Sequence, residues 1–142
     1  MTEKINSQPE RDYVIYSRQS AARFLDDMLA GTSGTDLTVV AFRVNVSAGD
    51  IRDEAMEVVG IVKAGIRKTD IIAALSDTEF LLIFPGCGVD VVESIMGTIE
   101  KKTEVYVGSG GSADVSIAYA ISPAAGIDAD RLIESLMNKI KP

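Results

Sequence analysis

The sequence predicts one α/β (α+β) domain with a ferredoxin-like central antiparallel sheet flanked by helices. Three observations carry that reading. Residues 37–46 form an almost unbroken apolar and β-branched run, the composition of a strand covered on both faces. Two shorter apolar runs, 71–74 and 80–84, flank Ser76-Asp77-Thr78-Glu79 and read as an antiparallel hairpin. Between these segments apolar residues recur at helical spacing.

The elements follow in order. Residues 1–11 are polar and charged and read as a flexible tail, leaving 12–142 as the domain. Ser17 or Ser20 is placed to cap a first helix carrying Ala21, Leu25, Met28 and Leu29, which Gly31 to Gly34 ends. After the long strand, Asp50 is a good N-cap for a helix whose stripe is Ile51, Ala55, Val58, Val59, Val62 and Ile66. That helix is expected to end near Arg67. The hairpin follows, and Pro85-Gly86 stops its second strand. Val91, Val92, Ile95, Met96 and Ile99 mark a third helix, and Val105-Tyr106-Val107 reads as a weak strand. Gly108 to Ser112 reads as a connector. Val115, Ile117, Tyr119 and Ile121 alternate as a half-buried strand does. A last helix begins near Asp128 and carries Leu132, Ile133, Leu136, Met137 and Ile140.

Composition narrows the function. At 142 residues the chain is long enough for one real core. Its net charge of −7, with no basic stretch, argues against binding a nucleic-acid backbone. No apolar run approaches the ~20 residues of a membrane span, so no membrane insertion is expected. The amino-terminal residues lack the apolar stretch of a secretory leader. Cys87 is the single cysteine, which excludes an intrachain disulfide and fits a reducing cytoplasm. Histidine is absent, so the commonest general base and metal ligand is missing and catalysis would rest on carboxylates. Cys87, with no histidine to activate it, reads as a loop or core thiol.

The stretch Arg67-Lys-Thr-Asp70, then Ile71 to Leu75, then Ser76-Asp77-Thr78-Glu79-Phe80 and an apolar strand, resembles the centre of the GGDEF family of diguanylate cyclases. There an Arg-x-x-Asp, a strand, the Gly-Gly-Asp-Glu-Phe turn and a second strand follow one another at this spacing. The eroded Tyr16-Ser17-Arg18 to Phe24 is similar to the family's opening helix. Val115-Ser116-Ile117-Ala118 is similar to its late strand, and residues 128–140 to its closing helix. The resemblance implies a nucleotidyl-cyclase-like palm.

It also implies that the chemistry is lost. Ser76 and Asp77 stand where two glycines let the backbone approach phosphates, and Asp77 adds negative charge there. Thr78 replaces a carboxylate that holds divalent cations; Glu79 is kept. In the long strand Arg43 and Asn45 take the places of an Asp-x-Asp pair, and Arg43 puts a positive charge where a cation would sit. The short base-binding helix expected after Asn45 is missing. Two-metal phosphoryl transfer needs those carboxylates, so the expectation is a pseudo-cyclase with no catalytic residue, no metal and no cofactor.

Arg67 and Asp70 match the family's inhibitory site, where such a pair contacts bound cyclic di-GMP. An arginine fork suits a phosphate or guanine edge, and a carboxylate accepts from guanine N–H groups. The resemblance therefore implies a cyclic di-GMP receptor in bacterial signalling. The plain alternative is structural: Arg67 favours a helix C-terminus, and Asp70 caps the turn into the strand. The family usually adds a second arginine, and the third helix offers only Lys101 and Lys102. A protein-interaction or self-associating scaffold is the competing expectation.

Overall fold

A computed structural model of the chain describes residues 14–31, 37–46, 49–108, 113–121 and 128–140. The tail expected over 1–11 lies outside them. The elements are β1 (Tyr16–Ser17), α1 (Arg18–Gly31), β2 (Leu37–Val46), α2 (Ile51–Gly65), β3 (Ile71–Ala74), β4 (Glu79–Pro85), α3 (Val89–Gly108), β5 (Ala113–Ile121) and α4 (Ala129–Ile140).

The strands form one sheet in the order β1-β3-β4-β2-β5. β2 lies near its middle, antiparallel to β4 on one side and to β5 on the other. β3 and β4 are the antiparallel hairpin, with Ala74 opposite Phe80. β1 pairs in parallel with β3, Tyr16 to Ala73 and Ser17 to Ala74, which makes the sheet mixed at that edge. A two-residue strand has no periodicity of its own, so the pairing becomes visible only in three dimensions.

Alternation along the strands divides the core in two. On one face Val40, Phe42, Val44, Phe80, Leu82 and Phe84 pack against α2 and α3. Phe42 and Phe80 stack there at 5.2 Å between ring centroids. On the other face Val39, Ala41, Leu81 and Ile83 meet α1 and α4. This is the two-sided burial that the composition of β2 requires.

The helices begin where short polar side chains can cap them. The Ser17 hydroxyl accepts from the Ser20 amide at 3.1 Å at the start of α1. Asp50 accepts from the Asp53 amide at 3.0 Å at the start of α2. α4 is capped twice: Asp128 takes the Arg131 amide, and Asp26, reaching from α1, takes the Ala129 amide at 3.1 Å. That second bond fixes the C-terminal half of α1 to the start of α4.

Two boundaries differ from expectation. Val105-Tyr106-Val107 is not a strand; α3 continues through it to Gly108. The Tyr106 hydroxyl donates to Glu54 Oε1 at 2.6 Å, tying this end of α3 to α2. Tertiary anchoring there overrides the β-branched preference of the valines. And α2 ends at Gly65, before Arg67, because Ile66 turns extended with ψ at 167°. Gly65 sits so close to α3 that a Cβ there would meet Ile99 Cγ1 at 2.9 Å.

Candidate functional site

Two regions receive the residues singled out in the sequence. The first is the β3–β4 turn and the end of β2 beside it. Ser76 organises the turn. Its hydroxyl oxygen accepts from the amides of Thr78 and Glu79, at 3.3 and 3.1 Å, and donates to Glu79 Oε1 at 2.9 Å. Serine hydroxyls make such local bonds readily and so stabilise turns. The Thr78 carbonyl accepts from the Val44 amide at 2.8 Å, which holds the turn against β2. Ser76 and Asp77 are exposed; Thr78 and Glu79 are half-buried.

Arg43 lies directly opposite Glu79 in the β2–β4 ladder, and opposite Ser116 in the β2–β5 ladder. Alternation puts Arg43 and Asn45 on the sheet face that α1 and α4 cover. Arg43 and Glu79 nonetheless make no ion pair, since Glu79 is turned to Ser76. The Arg43 Nε is buried and has no hydrogen-bond partner. β2 ends at Val46 and α2 starts at Ile51, so residues 47 to 50 alone join them. Among the described residues no three carboxylate, cysteine or histidine side chains converge as a metal site would require.

The second region is the α2–β3 turn. Arg67 and Asp70 are brought together, and they bond to each other. Nε of Arg67 donates to both carboxylate oxygens at 3.0 and 3.1 Å, and Nη2 donates to Oδ1 at 2.6 Å. The Arg67 amide donates to Oδ2 at 2.8 Å, and the Asp70 amide returns a bond to the Arg67 carbonyl at 3.0 Å. Nη2 also reaches the Pro85 carbonyl at the end of β4, at 3.0 Å. The Asp70 side chain is 0% exposed, that of Arg67 44%. Its hydrogen bond to Asp70 raises the Arg67 pKa further, with the Asp70 charge adding to the effect against some desolvation.

The sequence located Arg67 and Asp70 but missed Pro85, which contributes only a backbone carbonyl and so leaves no side-chain signal. It read Ser76 as a lost glycine and missed its work within the turn, for which the three-residue spacing to Glu79 was the available sign. Lys101 and Lys102 are exposed on α3. Cys87 is buried, as a core thiol would be. A cavity of about 190 Å³ along α1, lined by Ser20, Arg23, Phe24 and Asp27, is small for a nucleotide ligand.

Comparison of the whole fold with solved structures is decisive about architecture. A DGC protein from Thermotoga maritima superimposes with a TM-score of 0.71 over 89% of this chain and 96% of its own, at 24% identity. This chain has the GGDEF-domain fold. The GGDEF domain of FimX from Pseudomonas aeruginosa gives a TM-score of 0.71 at 17% identity, covering 94% of this chain and 88% of that one. The GGDEF domain of DgcB from Caulobacter crescentus, solved in complex with cyclic di-GMP, gives 0.69 at 16% identity over 94% and 89%. No family model and no curated protein matches the sequence. Within the GGDEF fold, the turn of Ser76 to Glu79 is the hairpin turn, and Arg67 and Asp70 immediately precede the first hairpin strand. No helix among the described residues is long and apolar enough to cross a membrane.

Proposed function

We propose that this domain is a pseudo-cyclase that acts in signalling by binding and not by turnover. The observation that carries the proposal is Arg43 set opposite Glu79, with Thr78 beside them; by the sequence resemblance Arg43 and Thr78 stand where active cyclases hold divalent cations with carboxylates. A guanidinium there repels the cations on which phosphoryl transfer depends. Incubation of the chain with GTP and Mg²⁺ or Mn²⁺ is expected to give no cyclic product above a buffer control. Clear turnover would overturn the proposal.

For the bound partner we infer cyclic di-GMP, contacted at the α2–β3 turn by Arg67. Support comes from the half-exposed guanidinium at that turn and from the fold shared with the DgcB domain, which was solved with this dinucleotide. Calorimetric titration should give micromolar binding to the native chain and none to Arg67→Ala. Absence of heat at high ligand would leave the second reading, a protein-interaction or self-associating scaffold. The full burial of the Asp70 carboxylate favours that second reading, because a buried carboxylate accepts nothing from a ligand until its present bonds open.

A further inference from the structure

We propose that the β3–β4 turn is a latch with two positions. In one the Glu79 carboxylate is held on Ser76; in the other it swings onto Arg43, and the Ser76 hydroxyl decides between them. The latch belongs to the turn itself and stands whether or not a dinucleotide binds the domain.

Arg43 and Glu79 are placed to meet. The Val44 amide bonds to the Thr78 carbonyl at 2.8 Å, one step along the β2–β4 ladder from Arg43 and Glu79. Antiparallel ladders alternate hydrogen-bonded pairs with unbonded ones, and the unbonded pairs bring their side chains closer. Arg43 and Glu79 are such a close pair. Alternation puts both on the face where Ala41 and Leu81 meet α1 and α4. Opposite charges directly across an antiparallel pair attract. Arg43 nevertheless has its Nε buried with no acceptor. A buried donor without a partner is costly, so the position seen leaves a cost that an acceptor would relieve.

Ser76 is what holds Glu79 away. Its hydroxyl donates to Glu79 Oε1 at 2.9 Å while accepting from the amides of Thr78 and Glu79. That bond lies in an exposed turn, where water competes for both groups. The alternative at Arg43 is more sheltered, and shelter strengthens a charged hydrogen bond. The backbone of Glu79 is pinned in either position, because its carbonyl accepts from the Leu75 and Ser76 amides at 2.7 and 3.1 Å. The swing therefore needs only side-chain torsions, and the hairpin stays paired while its carboxylate changes partner.

A double-mutant cycle run in two backgrounds tests the latch. Arg43→Met and Glu79→Gln are made singly and together, first in the native chain and then in Ser76→Ala, and unfolding is followed in denaturant. In the native chain the two changes should be additive. In Ser76→Ala they should couple by about threefold in the unfolding constant, as an opposite-charge pair across two strands does. Coupling that is absent from both backgrounds, or equal in both, overturns the proposal. NMR of the Arg43 Nε–H gives a second readout. Its proton should move downfield in Ser76→Ala, as a carboxylate bond demands, and return when Glu79→Gln is added. In the native chain Glu79→Gln should leave it unmoved. A native resonance that already responds to Glu79→Gln would mean that Ser76 holds nothing open. A downfield shift in Ser76→Ala that survives Glu79→Gln but is removed by Asp114→Asn would assign Arg43 to β5. Either result overturns the latch.

Discussion

Replacing Phe42 by alanine is expected to lower stability by about 3–5 kcal/mol. Phe42 is fully buried in β2, near the middle of the sheet, and its ring stacks on Phe80 across the β2–β4 pair. Truncation removes the transfer energy of the ring and the stacking contact. It also leaves a cavity between the sheet and α2 that β2, hydrogen-bonded on both sides, cannot collapse to fill. Denaturant unfolding followed by circular dichroism measures the loss. Phe42→Leu, which keeps most of the volume, should cost clearly less. A loss below about 1 kcal/mol for alanine would mean that this core is looser than its burial indicates.

Asp70→Ala is the second large change expected, at about 1–3 kcal/mol. The Arg67 amide loses its carboxylate acceptor, and the guanidinium loses its bidentate partner while Pro85 still holds one edge. The figure sits below that of a fully buried pair because Arg67 is 44% exposed and water recovers part of its solvation. Asp70→Asn, which retains an acceptor oxygen, should lose less. Since the fold raises the Arg67 pKa, the stabilisation from its charge is fully present at neutral pH and is lost only in strong alkali. The same denaturant titration between pH 6 and 9 should therefore show no loss of the native-over-variant difference that is traceable to Arg67. A steep fall in that window would show that the pairing is not the one described.

What could be read from sequence alone was whatever local periodicity encodes. β2 and α2 were visible because Leu37 to Val46 and the Val58, Val59, Val62 stripe carry their own periods, and Asp50 marks a helix start. The hairpin was visible because Ser76 to Glu79 interrupts two apolar runs. β1 was not: Tyr16 and Ser17 become a strand only by lying beside Ala73 and Ala74, far along the chain. Val105 to Val107 misled for a related reason. Their side chains favour a strand, and it is the Tyr106–Glu54 bond, a long-range contact, that accompanies their place in a helix. At the site, the family resemblance singled out Arg67, Asp70 and Arg43. It could not give the use of their donors. Whether a carboxylate faces solvent or its own neighbour depends on how the chain turns after Gly65 and on a carbonyl at Pro85. Neither is written in residue type.

The position of β2 bears on how the chain acquires its structure during synthesis. One neighbour, β4, emerges from the ribosome some forty residues after it, and the other, β5, only with residues 113–121. Until then the strand at the heart of the sheet is an open, apolar edge with no proline or lysine to discourage pairing with another chain. A nascent chain stalled before Ala113 would expose that edge, so the segment from Ala113 onward acts as its intramolecular guard against aggregation.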